Sequence, residues 1–161
     1  VYPGQVIWEG TNVSEGRGTT QPFEVFGAPF FNPERLDDIL DKNNVSGVHL
    51  RPVAFEPTSN KWQGRLCYGF QLHVLDPNRY QPYLTSLALL QAAYGLYPKE
   101  VEWKQPPYEF EYEKLPFDLI TGDRSVRETI ERQESLDTLW EKWENDLAEF
   151  QELRKTFFLY D

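Results

Sequence analysis

The 161-residue sequence predicts an α+β fold: a small, mostly antiparallel sheet packed against three or four helices in a single domain. Three observations point there. Residues 48–55 and 66–75 are two β-like runs separated by a polar loop, Pro57 to Lys61, which suggests a neighbouring antiparallel pair. Leu136, Leu139, Trp140, Trp143, Leu147, Phe150 and Arg154 recur at three- and four-residue steps, the spacing of a long helix. Strand-like and helix-like runs do not alternate regularly, which argues against a doubly wound parallel sheet.

In chain order, the short apolar run at 5–8 reads as a strand, and 22–29, broken by glycine and two prolines, as irregular or a short edge strand. Asn32 and Pro33 supply an N-cap and a first helical residue for a helix over 33–43, with Leu36, Ile39 and Leu40 as its buried stripe. In 66–75, alternation places Leu66, Tyr68, Phe70, Leu72 and Val74 on one apolar face. Cys67, Gly69, Gln71 and His73 take the other, which meets solvent or lines a polar cleft. A helix over 83–95 is apolar broadly enough to be covered on two sides, and Gly95 is expected to stop it. Residues 98–116 are acidic, aromatic and proline-broken, an excursion with one short edge strand at 108–112. After a brief apolar stretch at 117–123, Ser125 and Glu128 form a capping-box pattern for a helix over 126–133, carrying Val126 and Ile130. The last helix covers 136–154, with Trp140 and Trp143 expected in the core.

Composition narrows the function. Sixteen basic against 26 acidic residues give a net charge of −10, which argues against general binding to nucleic acid or anionic membranes. No run of ~18 apolar residues is present, so no membrane span is expected within this chain. Two histidines and one cysteine offer no metal-ligand spacing, and neither a metal nor another cofactor is expected. Cys67 has no internal disulfide partner and reads as structural, because His73 lies six residues along the same strand face. A chain that opens on valine and contains no methionine reads as a fragment or a processed product.

The densest chemistry lies in residues 9–20, where Glu9, Asn12, Glu15, Arg17, Thr19 and Thr20 are interleaved with Gly10, Gly16 and Gly18. Glycine lets the main chain approach a ligand, and the polar side chains would hold one. The structural alternative is a solvated turn in which Glu9 pairs with Arg17 and Glu15 anchors the loop. Residues 2–30, from Tyr2 through Trp8, the glycine-rich segment and Phe26-Gly-Ala-Pro-Phe30, resemble the signature of the NamZ-type exo-β-N-acetylmuramidases, a bacterial peptidoglycan family. The likeness continues through Arg51-Pro-Val-Ala-Phe-Glu-Pro-Thr58, Ser59 to Trp62, Cys67 to Val74, Phe117 to Gly122 and Phe158 to Tyr160.

That resemblance implies that residues 1–161 are the C-terminal domain of a two-domain enzyme whose Rossmann-like N-terminal half is absent. Its partners would be peptidoglycan-derived muramyl saccharides and that missing half, and its location the bacterial cell envelope, periplasmic or secreted. Glycosidases generally pair two carboxyl groups, typically ~5–9.5 Å apart, which makes Glu9 and Glu15 the catalytic candidates, with at least one further carboxylate expected on the other half. Arg17 is the candidate for the lactyl carboxylate of N-acetylmuramic acid, with Arg51 second, because a guanidinium matches a carboxylate with two parallel bonds. Asn12, Thr19, Thr20, Lys61 and His73 complete the candidate substrate contacts. Two rival readings stay open: a non-catalytic carbohydrate-binding or lid domain, and a phosphate or nucleotide site. The second ranks last, since no Gly-Lys-Ser/Thr follows and two glutamates would repel phosphate.

Overall fold

A computed structural model describes residues 1–40 and 44–160. The run at 5–8 is helical and not a strand. Tyr2–Gln5 form a short helix, α1, continued by a 3₁₀ turn over Val6–Gly10. Pro3 suits a first helical turn, and the Trp8 indole donates to the Gln5 side chain three residues back, at 3.0 Å. Gln5 in turn donates to Ser86 at 2.7 Å, so long-range bonds hold a segment whose apolar run alone is ambiguous.

The sheet has three strands, β1 (Val25–Ala28), β2 (Val48–Phe55) and β3 (Cys67–Val74), in the order β1-β3-β2 and antiparallel throughout. The β2–β3 pair is the expected one, and β1 is the expected short edge strand. With β3 in the centre, Phe70 and Leu72 point into the core, where Phe26 stacks on Trp8 at 4.8 Å. Leu66, Tyr68 and Val74, expected on the buried face, are exposed: Leu66 precedes β3, and Tyr68 and Val74 lie near its two ends. Cys67, Gly69 and Gln71 are buried on the opposite face.

Asn32 caps α2 (Pro33–Ile39) by accepting from the Arg35 amide at 3.1 Å. The helix ends at Ile39, with Leu40 extended; the rest of the expected 33–43 span includes 41–43, outside the described residues. Leu36 and Leu40 are buried and Ile39 is exposed, a narrower stripe than expected. The central helix α3 (Pro82–Leu96) packs against α1, α2 and α5 (Arg124–Arg132), the cover on several sides that its breadth predicts. Gly95 does not stop it; the helix passes through and ends at Leu96, with the Tyr97 amide bonded to Ala93.

The excursion at 98–116 holds no strand at 108–112. Tyr108 and Glu111 exchange backbone hydrogen bonds of 2.9 Å around Glu109 and Phe110, both at positive φ, so the segment turns back instead of extending. Residues Pro116–Thr121 form α4, a helix where only a brief apolar stretch was expected, and Asp123, not Ser125, caps α5. The last helix, α6 (Asp137–Lys155), is present at its expected length, but Trp140 is 42% exposed and Trp143 half-buried, so neither is a core residue. Only Leu139 of this helix is buried, and every residue of the helix after Trp143 is exposed. The described residues therefore hold six helices beside the three-stranded sheet, two short ones more than expected.

Candidate functional site

The glycine-rich segment is folded into the protein. Ser14 pairs with Gly27 and extends the sheet beyond β1, and the Phe23 amide donates to the Glu15 carbonyl at 2.6 Å. Gly16 and Gly18 adopt φ of +80° and +81°, and a Cβ on Gly18 would stand 2.5 Å from the Ser59 amide nitrogen. The 57–64 loop clamps this turn: the Thr58 amide and hydroxyl donate to the Gly18 carbonyl at 2.9 and 2.8 Å, and the Trp62 indole donates to the Asn12 carbonyl at 2.7 Å.

Inside the clamp, four of the candidate residues meet. Glu15, its side chain only 3% exposed, receives Lys61 Nζ at 2.7 Å and Arg17 Nε at 3.2 Å. Lys61 also donates to the Trp8 and Val13 carbonyls at 2.8 and 3.0 Å, so its three ammonium donors are all used. Burial lowers the Lys61 pKa from its ordinary value, and the Glu15 charge opposes that shift. Arg17 Nη2 donates to Glu9 at 2.5 Å, a bond that raises the guanidinium pKa further, and the group lies 5.0 Å from the Phe23 ring centre. One guanidinium thus bridges both glutamates. Glu9 takes a second bond from the Tyr108 hydroxyl at 3.1 Å, and burial is the main cause that pushes this phenol up to about 12.

Other candidates are placed differently. The Asn12 amide is engaged with the 100–102 backbone, donating to the Glu100 carbonyl at 2.8 Å and accepting from the Glu102 amide at 3.1 Å. Thr19 closes its own turn on the Gly16 carbonyl at 2.6 Å, and Thr20 is exposed beside it. Arg51 is exposed on β2 and donates across the sheet to Gln71. His73 on β3 faces His49 on β2, ring centres 6.4 Å apart, and its buried Nε2 has no hydrogen-bond partner among the described residues. Neither Arg51 nor His73 bonds to the carboxylate cluster. Cys67 is buried, and burial pushes its thiol up to about 11. Among the described residues, no three His, Cys, Asp or Glu side chains gather as a metal cluster would.

Compared with known proteins, residues 1–160 match the family described as the C-terminal part of the exo-β-N-acetylmuramidase NamZ. The chain belongs to this family. Over 160 residues it is 36% identical to the peptidoglycan β-N-acetylmuramidase NamZ of Bacillus subtilis (strain 168), covering 99% of this chain and 37% of that protein. Two solved structures of DUF1343-family proteins from Bacteroides fragilis NCTC 9343 share the fold. One has a TM-score of 0.80 at 25% identity and the other 0.65 at 27%, each over 99% of this chain. The chain spans only 41% and 40% of those two proteins, so in every comparison it corresponds to well under half of the relative.

Within this NamZ C-terminal fold, Tyr108 and Phe23 belong to the site and sequence reasoning missed both. Tyr108 sat in a segment read as an edge strand; its reach to Glu9, 99 residues away, leaves no local pattern. Phe23 had a weak signal, a lone aromatic flanked by Pro22 and Glu24 just after the glycine-rich turn.

Proposed function

We propose that residues 1–161 are the C-terminal domain of a two-domain exo-β-N-acetylmuramidase that releases N-acetylmuramic acid from the non-reducing end of peptidoglycan fragments. It acts in the bacterial cell envelope or outside the cell, and the N-terminal half completes the cleft. Beyond the family match, the observation that carries this reading is Arg17. It is a guanidinium 45% exposed on a chain of net charge −10, held from behind by Glu9 and Glu15, and neither of those bonds uses Nη1. A fixed guanidinium edge facing outward matches a carboxylate, the group that distinguishes muramic acid from N-acetylglucosamine.

The roles then divide by burial. Glu15 is too enclosed to meet a sugar and positions Arg17 and Lys61. Glu9, 16% exposed and held by Tyr108 and Arg17, is the carboxylate that a substrate can reach. Because each glutamate is already bonded to a cation, a second reading has support: a recognition domain whose catalytic acid lies on the N-terminal half. Kinetics of the full-length enzyme separate the two. Arg17→Lys keeps the charge and loses the fork, and should lower kcat/KM for muramyl substrates about ten- to hundredfold. Glu9→Gln should lower kcat on the order of 10²–10⁴-fold if Glu9 takes part in proton transfer. Near-normal kcat in Glu9→Gln and Glu15→Gln, with binding lost in Arg17→Lys, establishes the recognition reading; unchanged kcat/KM in Arg17→Lys removes the role given to Arg17.

A further inference from the structure

A second concave site lies where the start of α3 meets the first turns of α6, a cavity of about 310 Å³. Tyr80, Tyr83, Trp140 and Trp143 supply its rings, and Gln81, Pro82 and Leu84 complete the wall. Its volume sits at the lower end of the range for small-ligand pockets, roughly 300–1,000 Å³. Both tyrosine hydroxyls are buried and have no hydrogen-bond partner among the described residues. Burial pushes each phenol up to about 12, so both remain neutral donors at physiological pH. An orphaned buried hydroxyl is destabilising, and phenylalanine would fill the same space without that penalty. Both belong to residues that line this one cleft.

We propose that this cleft binds a neutral saccharide, one pyranose ring stacking on Trp140 while its hydroxyls satisfy Tyr80 and Tyr83. The chemistry of the walls selects the class. A purely apolar ligand would leave both phenols unpaired. An anion would find no cation in the lining, since Lys142 beside the cleft is already bonded to Asp123 at 2.8 Å. A pyranose presents an apolar C–H face and a hydrogen-bonding edge, the two surfaces that an exposed indole and buried phenols complement. Access to the sealed hydroxyls requires the Trp140–Trp143 turn to yield. That turn is held by Leu139, by the Lys142 bonds to Asp123 and Ser125, and by Trp143 on the Tyr83 ring, centres 5.5 Å apart. The proposal does not rest on the reading of the carboxylate cluster, with which the cleft shares no lining residue.

The test titrates the 161-residue chain with N,N′,N″-triacetylchitotriose, following tryptophan fluorescence and binding heat. Saturable binding is expected with Kd on the order of 1 mM. Trp140→Ala should abolish it, while Tyr80→Phe and Tyr83→Phe should each weaken it about three- to tenfold and leave Tm unchanged or higher. Arg17→Lys should bind this probe as the parent does. The proposal is overturned by absence of saturation at tens of millimolar, by Tyr→Phe variants that bind normally or lose Tm, or by loss of probe binding in Arg17→Lys. A dimer in light scattering that dissociates on Trp140→Ala also overturns it, since a second chain would then fill the cleft.

Discussion

The glycine-rich loop and the last helix invert the usual relation between composition and burial. Residues 9–20 are mostly polar, yet Glu15 is among the most enclosed side chains in the protein. In contrast, α6 and the residues after it carry Leu147, Phe150, Leu153, Phe157 and Phe158, all between 45% and 73% exposed. Burial here follows the availability of partners, not side-chain hydrophobicity. The loop is surrounded by the 3₁₀ turn, the 57–64 loop and β1, which satisfy every charge that they enclose. Beyond Leu139 the helix keeps neighbours through Lys142, bonded to Asp123, and Trp143, packed on the Tyr83 ring, and every described residue after Trp143 is exposed.

The largest expected effect comes from removing one charge in the enclosed loop. Glu15→Ala leaves the Lys61 ammonium among carbonyls without its counterion and should cost about 3–5 kcal/mol, read as a fall in Tm of ~2–4 °C per kcal/mol. Adding Lys61→Met should recover part of that loss, since the unpaired charge then disappears. A cost below ~1 kcal/mol in the single variant would mean that the loop is hydrated and the contrast with α6 is false.

Backbone fit is next. Gly18→Ala combines a positive φ with a Cβ 2.5 and 2.6 Å from Ser59 backbone atoms and should lower stability by roughly 1–3 kcal/mol in urea titrations. Gly64→Ala is the control for strain alone, because its φ is also positive but nothing lies within 4 Å of the added carbon.

A smaller effect is expected at the base of α6. The Lys142 bond lowers the Asp123 pKa below its ordinary value. A depressed carboxylate stabilises the fold above its unfolded value of ~3.9, and that contribution is lost as pH falls through the lower, folded value. Stability should therefore decline between about pH 4 and pH 2 by roughly 0.5 kcal/mol less in Asp123→Asn than in the parent. Equal acid profiles for the two would show that the clasp contributes nothing.

On the exposed stripe, Leu147→Glu and Phe150→Glu should change monomer stability by no more than ~0.5 kcal/mol, the ordinary range for surface substitutions. A loss above ~1 kcal/mol would place this face against something in solution and sharpen the comparison into a statement about assembly.

Much of the backbone was legible in local sequence. The β2–β3 pair, the Asn32 cap, the long α3 and the three- and four-residue rhythm of α6 each follow from neighbours within one or two turns, which is the range over which propensity and periodicity act. The glycine-rich loop was legible as a site, and the Glu9–Arg17 ion pair was foreseen as its structural alternative. Local pattern failed at residues 5–8, where an apolar run suits a strand and a buried helix equally, and at 108–112, where alternation suggested an edge strand and two positive-φ residues made a turn. Tertiary structure alone decided that Lys61 would neutralise Glu15, that Tyr108 would reach Glu9, and that two tryptophans on a regular apolar stripe would stay near the surface. The reason is that a side chain's own pattern sets the direction in which it points, whereas burial and charge pairing depend on which distant segment occupies that direction.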